Sequence, residues 1–546
     1  MRFIPYLLAA PLLLVIIFPH WERNLPTDTV PVSIETFPLY ETGQTCSGQF
    51  VTHELDHTTT VPGGSQVRMF EANGSGVAIN DLDNDGDLDI VLANHAGMNT
   101  ILWNEGGLNF RTERMEHGDS RAVTVVDVDG DGWLDIVFSR TRSAPTYWHN
   151  EGEGQFTQET LPGVGNPLYA INWADLDNDG DLDLVGATYD ASLLVDFGTE
   201  FLMNGNGGVF YYENDDGYFR LNALATTAQA LALALVDLNN DGRLDIWVGN
   251  DFDLPDQTWY RTDNGWQSAA PFTTMSRSTM SLEFGDINND GRIELFSTDM
   301  NPYEQEPEAI AVWYPILQSR RGLNPEENPQ VDANVLQSVD NFINTAQQAG
   351  VDATGWSWSG KFGDLNQDGF LDLYVVNGFM EVSLFAHLPN HELVEENQAF
   401  RNTGNEQFVT IPEWNLGSLS SGRSMSMADL DADGDLDIVV NNLRGAAQLF
   451  ENQLCEGNSL EVDLIWNGSS NTRAIGSELI LYTDQGVYYR DVRTASGYLS
   501  GDSARVHFGF PDGTQLNMLE IRWSDGQVSS VTSLSDNVLI RATRSE

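Results

Sequence analysis

The sequence predicts an all-β protein: a seven-bladed β-propeller followed by a small C-terminal β-sandwich. Three observations predict it. A nine-residue acidic loop recurs seven times, strand-like segments flank it, and the composition favours turns. The 546 residues exceed what one core usually supports, and 50 Gly, 14 Trp and 26 Phe suit many short strands better than long helices.

The loop reads DLDNDGDLD from Asp81, DVDGDGWLD from Asp127, DLDNDGDLD from Asp175, DLNNDGRLD from Asp237, DINNDGRIE from Asp286, DLNQDGFLD from Asp364 and DLDADGDLD from Asp429. Successive starts lie 46 to 78 residues apart. That is the size of a propeller blade with some loops enlarged, not of nine-residue tandem coils. VTVV precedes Asp127 and DIVF closes that copy, while LALALV precedes Asp237 and DIWV closes that one, so both flanks are strands. A helix-loop-helix calcium site would need helical flanks and Glu at position twelve, where Leu92 stands after Asp81. Downstream, ILWNEGGLNF, YWHNEGEGQF, YYENDDGYF and FRNTGNEQF predict further hairpins of the same blades, with Asn and Gly supplying the positive φ of tight turns.

Aspartates at alternate positions of a tight loop predict a metal site. Calcium takes six to eight oxygens; positions one, three and five turn side chains inward, Gly at six permits the bend, seven offers its carbonyl and nine closes the site. The candidate ligands are Asp81, Asp83, Asp85, Asp87 and Asp89; Asp127, Asp129, Asp131, Trp133 and Asp135; Asp175, Asp177, Asp179, Asp181 and Asp183; Asp237, Asn239, Asp241, Arg243 and Asp245; Asp286, Asn288, Asp290, Arg292 and Glu294; Asp364, Asn366, Asp368, Phe370 and Asp372; and Asp429, Asp431, Asp433, Asp435 and Asp437. The seventh-position residues enter through their backbone oxygen. Without a cation, carboxylates about 5 Å apart repel by roughly 1–3 kcal/mol per pair, so Ca2+ is the expected cofactor. Asn239, Asn288 and Asn366 lower the ligand charge of three copies, which should bind more weakly.

Lys and Arg number 26 against 81 Asp and Glu, a net charge of −55, which excludes nucleic acid as a partner. More than half the acids lie outside the loops, as in adaptation to a salty medium or to a basic partner surface. Arg2 ahead of an apolar run to Phe18 marks residues 1–24 as a secretory signal or an uncleaved signal anchor. The rest of the chain is therefore expected outside the membrane, either secreted or periplasmic or cell-surface and anchored, with that segment its sole membrane contact. Residues 25–455 are assigned to the propeller and 456–546 to the second domain. An insertion at about 301–350 carries VDANVLQSVDNFINTAQQAG, expected as an amphipathic helix over one face. Cys46 and Cys455 bracket the repeats; either a disulfide closes the ring or both are free thiols.

The seven loops resemble integrin-type FG-GAP or VCBS repeats. Over most of residues 50–546, and most specifically in GVDATGWSWSGKFGDLNQDGFLDLYVVNG, the chain resembles the cartilage acidic protein-like family. NTRAIGSELILY, ASGYLSGDS, VHFGF and IRWSDGQ resemble the ASPIC/UnbV domain, and their apolar-polar alternation alone predicts the small sandwich. The resemblance implies a calcium-binding extracellular module for binding, adhesion or scaffolding, its partner an unidentified extracellular protein or glycan, with no settled activity.

One enzyme motif is present in letters: His53-Glu54-His57 fits HExxH. Its β-branched surroundings and the following PGG favour a strand or loop, read as an N-terminal strand that helps complete the propeller. No GxSxG, phosphate-binding loop or CxxC occurs, and no catalytic residue is assigned. A glycan-binding or glycan-degrading propeller with a central pocket is the alternative. Equivalent hairpins place all seven loops at one end of the ring, so a partner is expected at the other.

Overall fold

Seven inner strands form the wall of the protein: Val77–Asn80, Ser120–Val126, Ala170–Ala174, Ala230–Val236, Leu282–Gly285, Ser359–Gly363 and Gly422–Ala428. The computed structural model describes residues 29–39, 46–64, 66–115, 118–319 and 329–545; the expected signal or anchor over 1–24 lies outside them. Each inner strand opens an antiparallel meander and hands over through one acidic loop to the next strand, as in Ala170–Ala174, Asp183–Ala187, Val209–Asp215 and Tyr218–Ala225. The inner strands pack side by side in chain order, and the seventh returns to the first. This closed cycle is the all-β propeller that the repeats predict, and closure protects the sheet edges.

The seventh sheet takes its outer strand from the N-terminus. Val51–Thr58, which contains HELDH, pairs antiparallel with Ala446–Glu451. The strand reading of that motif therefore holds. Beside the closure Cys46 and Cys455 are bonded, with Cα atoms 5.6 Å apart and 409 residues between them. Replacing both by serine removes a constraint on a very long unfolded loop, so we expect a loss of about 3–5 kcal/mol. In a chain of this length that corresponds to a melting temperature lower by roughly 3–5 °C, read by calorimetry.

The C-terminal region forms the expected sandwich, with one addition. One sheet comprises Val32–Pro38, Val538–Arg544, Asn458–Trp466 and Val506–Phe510; the other comprises Val487–Asp491, Glu478–Thr483, Leu516–Arg522 and Val528–Val531. Val32–Pro38 pairs along its whole length with the last strand, Val32 opposite Arg544. The boundary expected at residue 455 is thus crossed, because the chain before Cys46 belongs to the second domain.

One expectation is corrected. The segment from Val331 to Gly350 is not an amphipathic helix: Val335–Ser338 is the third strand of the fifth sheet, and only Ala346–Ala349 is helical. The helix of this insertion lies earlier, at Pro307–Ser319, with Trp313 buried against Trp356. The sandwich also reaches into the propeller. Its short strands Ala495–Ser496 and Ser500–Gly501 enter the ring and touch all seven inner strands. Gly501 pairs with Ala78, and Gly497 exchanges backbone hydrogen bonds with Leu282 at 2.7 and 3.2 Å. Asn172 Nδ2 donates to Ala495 O (3.1 Å), Ser426 Oγ to Gly501 O (2.9 Å), and Tyr498 N to Ser359 Oγ (3.3 Å). The approach is so close that a Cβ on Gly76 would stand 2.0 Å from Leu499 O. The hairpin fills the channel.

Candidate metal centres

The seven loops share one hydrogen-bond plan, which explains their fixed spelling. The first-position carboxylate accepts the amide of the sixth-position glycine in every copy, from Gly242 to Asp237 and Gly434 to Asp429 at 2.7 Å to Gly86 to Asp81 at 3.1 Å. The ninth-position acid accepts the second-position amide, as in Leu82 to Asp89 (3.1 Å) and Ile287 to Glu294 (3.3 Å). The glycine at six has positive φ in all seven copies, between 81° and 103°, which a side chain would resist. These bonds hold the carboxylates in place and consume only part of their acceptor capacity.

Three carboxylate oxygens come within 4.8 Å of one another in four loops: Asp81, Asp83 and Asp85; Asp127, Asp129 and Asp131; Asp175, Asp177 and Asp179; and Asp429, Asp431 and Asp437. Asp81 Oδ1, Asp83 Oδ1, Asp175 Oδ1, Asp181 Oδ1, Asp433 Oδ2 and Asp435 Oδ1 are buried without a hydrogen-bond partner. An unpartnered buried carboxylate oxygen is costly, and a hard cation would satisfy it, so this donor set fits an oxygen-liganding divalent ion. The loops from Asp237, Asp286 and Asp364 form no such trio among the described residues, in keeping with Asn239, Asn288 and Asn366. Their seventh positions differ too: Arg243 pairs with Asp241 at 2.9 Å and Asp263 at 2.7 Å, Arg292 pairs with Asp340, and Phe370 is partly buried.

Burial dominates the electrostatics. It raises the carboxyls of Asp89 and Asp183 to about 8, with neighbouring loop aspartates adding to the rise. Asp433 is raised to about 9 by burial and then by Asp429 and Asp431, and Glu294 to about 8 by burial and then by Asp286. Asp245, Asp364 and Asp429 rise to about 7 for the same first reason. Without a counter-cation burial thus favours the protonated form of these carboxyls, and a bound divalent ion would displace the protons.

Two features escaped sequence reasoning. The Asn at the end of the third strand reads as a turn former, yet its Nδ2 also staples neighbouring sheets. Asn104 reaches Leu430 O (2.7 Å), Asn150 reaches Leu82 O (2.8 Å), Asn402 reaches Ile287 O (2.7 Å) and Asn452 reaches Leu365 O (2.9 Å). Its backbone amide meanwhile binds the ninth-position acid at 2.8 Å. The recurring aromatic-Asn pattern carries the signal for this role.

The other feature is the cover over the loops. The C-terminal domain lies on all seven. Arg473 Nη2 donates to Asn84 Oδ1 (2.7 Å), Arg505 Nη2 to Gly86 O (3.1 Å), Thr472 to Asp127, and Ser469 Oγ to Gly180 O (2.6 Å). His507 lies 3.0 Å from Gly434 O. Tyr489 and Tyr488 stand over Gly291 and Gly369, and Leu244 lies beside Gly476. Under the cover is a charged chamber of about 120 Å³. There Arg493 pairs with Glu283 at 2.9 Å, Lys361 pairs with Asp502, and Arg505 lies 3.2 Å from Asp463.

His53 and His57 do not form a zinc site. His53 Nε2 meets Glu451 at 2.6 Å, whereas buried His57 binds Thr100 at 2.8 Å and is lowered to about 4 by burial. Four residues along a strand separate them by about 13 Å, too far to share an ion. The central pocket on which a glycan site would rely is filled by Tyr498 and Leu499, both buried.

Comparison with known families agrees with this architecture. Residues 467–546 match the ASPIC and UnbV model, and residues 81–138, 127–186 and 382–440 match the FG-GAP-like repeat. The chain thus carries FG-GAP-like repeats within its propeller and an ASPIC and UnbV domain at residues 467–546. No curated protein sequence matches it. Similar solved structures include BBS1N in complex with ARL6DN (10% identity, 75% of this chain and 97% of that chain, TM-score 0.41). The Pan2 WD40 domain of Neurospora crassa has 8% identity, 75% and 97% coverage and a TM-score of 0.40. A rhamnogalacturonan lyase of Bacillus licheniformis has 12% identity, 74% and 76% coverage and a TM-score of 0.38. Likenesses this low transfer no activity.

Proposed function

We propose that this chain is an exported, calcium-stabilised binding and scaffolding module. In this reading its metal loops form the seat of its own C-terminal domain, and the opposite face meets an extracellular protein or glycan. One observation carries the proposal: all seven acidic loops lie beneath the C-terminal domain, so a partner is sought at the far ends of the second strands. There the excursion after Ala187 exposes Leu194, Val195, Phe197 and Met203, the last 81% exposed, and Phe252 stands 42% exposed against Tyr189. Apolar side chains grouped at one end of a chain this acidic are what a partner surface uses.

The test is retention on a glycan array and on a panel of extracellular-matrix proteins, with product analysis on soluble polysaccharides. Wild-type protein should be retained in calcium without producing chain cleavage. A variant carrying Leu194→Ser, Val195→Ser, Phe197→Ser and Met203→Ser should lose retention about tenfold or more, each buried anchor being worth 1 kcal/mol or more. Turnover of a polysaccharide, or undiminished retention by this variant, would overturn the reading.

A further inference from the structure

The second acidic loop differs from the others in holding a nitrogen donor. His149 Nδ1 lies 3.4 Å from Asp129 Oδ2 and 3.4 Å from Asp135 Oδ1, and the three residues form a group able to hold a metal ion. The position is defined in six sheets as the residue before the one whose amide binds the ninth-position acid. Its occupants are Trp103, His149, Glu213, Tyr260, Arg401 and Glu451, so among these His149 alone offers an imidazole. Neither 3.4 Å contact has hydrogen-bond geometry; the one partner of Nδ1 is the Tyr147 hydroxyl at 3.3 Å. The two imidazole–carboxylate separations of 3.4 Å match the edge of a tetrahedral site with bonds near 2.1 Å, as zinc forms with imidazole and carboxylate, and the third separation lies within 4.8 Å. Calcium sites are built from oxygen alone, and imidazole shifts preference toward borderline cations. His149 is 16% and Asp129 43% exposed at the side chain, which leaves the ion a path from solvent.

We propose that the loop starting at Asp127 binds zinc through His149, Asp129 and Asp135, while the other loops take calcium. This rests on reading the loops as metal sites, so calcium and zinc are counted in the same samples. Chelator-stripped full-length protein is dialysed against millimolar calcium with micromolar zinc, and bound metals are measured by elemental analysis. Cobalt(II) serves as the visible-absorption probe of nitrogen ligation.

The wild type should retain one zinc per chain that His53→Gln also retains. His149→Gln should weaken zinc at least about tenfold and abolish the cobalt bands. His149→Glu should bind calcium at this loop and lose zinc. Glutamate already stands at this position in two sheets, as Glu213 and Glu451, so the fold accepts it; an unchanged melting temperature in calcium verifies this. Equal zinc retention by wild type and His149→Gln, or calcium binding with no zinc retained, would overturn the proposal. Binding of neither metal would overturn the underlying reading of the loops as well.

Discussion

Stripping divalent metal from this protein is expected to lower its melting temperature by roughly 10–15 °C at neutral pH. Each loop filled at a hundred times its dissociation constant adds about 2.7 kcal/mol to stability. A chain of this length melts with an entropy near 1 kcal/mol per degree. Seven equal sites would give close to 20 °C, and the Asn-bearing copies reduce that figure. The effect depends on pH with a definite sign. Burial raises Asp89 and Asp183 to about 8 and Asp433 to about 9 in the metal-free fold, against about 4 in the unfolded chain. Between those values the native state binds more protons than the unfolded state. In metal-free protein the stability contributed by these groups is therefore full below about pH 4 and is lost as pH rises to about 9. Calcium, which needs the ionised groups, reverses the trend. Melting in chelator and in calcium at pH 5 and pH 8, at constant ionic strength, should show the wider gap at pH 8. Curves that chelation does not move would overturn the metal reading of all seven loops.

The legibility of this site follows from how local its chemistry is. A loop of nine residues that must present carboxylates at positions one, three and five and bend at six leaves its spelling in the sequence, and every copy from Asp81 to Asp429 was readable. The Asn staples were half readable, since Asn104 and its acceptor Leu430 lie 326 residues apart and spacing reports only neighbours. Val331, Val335, Leu336, Val339 and Ile343 have helical periodicity, yet the open edge of Glu294–Ser297 draws Val335–Ser338 into the fifth sheet. Tertiary pairing outweighs a propensity of a few tenths of a kcal/mol per residue. The C-terminal domain shows the same limit: alternation gave its strands, but nothing in ASGYLSG states that Tyr498 and Leu499 will be buried. They are buried because a closed ring leaves a hole that fits them.

Tyr498→Ala should therefore cost about 4–8 kcal/mol, far more than a typical substitution in a 91-residue C-terminal segment. The side chain is fully buried; its hydroxyl bonds Tyr169 Oη at 2.8 Å and Asn73 O at 2.9 Å, and its ring lies 5.1 Å from Trp358. Truncation leaves a cavity worth about 3–5 kcal/mol and strands two polar groups, about 1–3 kcal/mol more. Tyr498→Phe removes the hydroxyl alone and should cost about 1–2 kcal/mol. The hairpin's base stays tied by Lys361 to Asp502 and by Arg493 to Glu283, so the alanine variant should fold with its C-terminal domain loosened. Denaturant unfolding followed by tryptophan fluorescence should then split into two transitions, the first sensitive to calcium if the acidic loops that form the seat of that domain bind it. A single transition shifted by less than about 2 kcal/mol would mean that the rim contacts at Asn84, Gly86, Gly180 and Gly434 hold the domain and that the hairpin merely occupies the channel. The size of the shift thus separates a plug that stabilises the ring from one that only fills it.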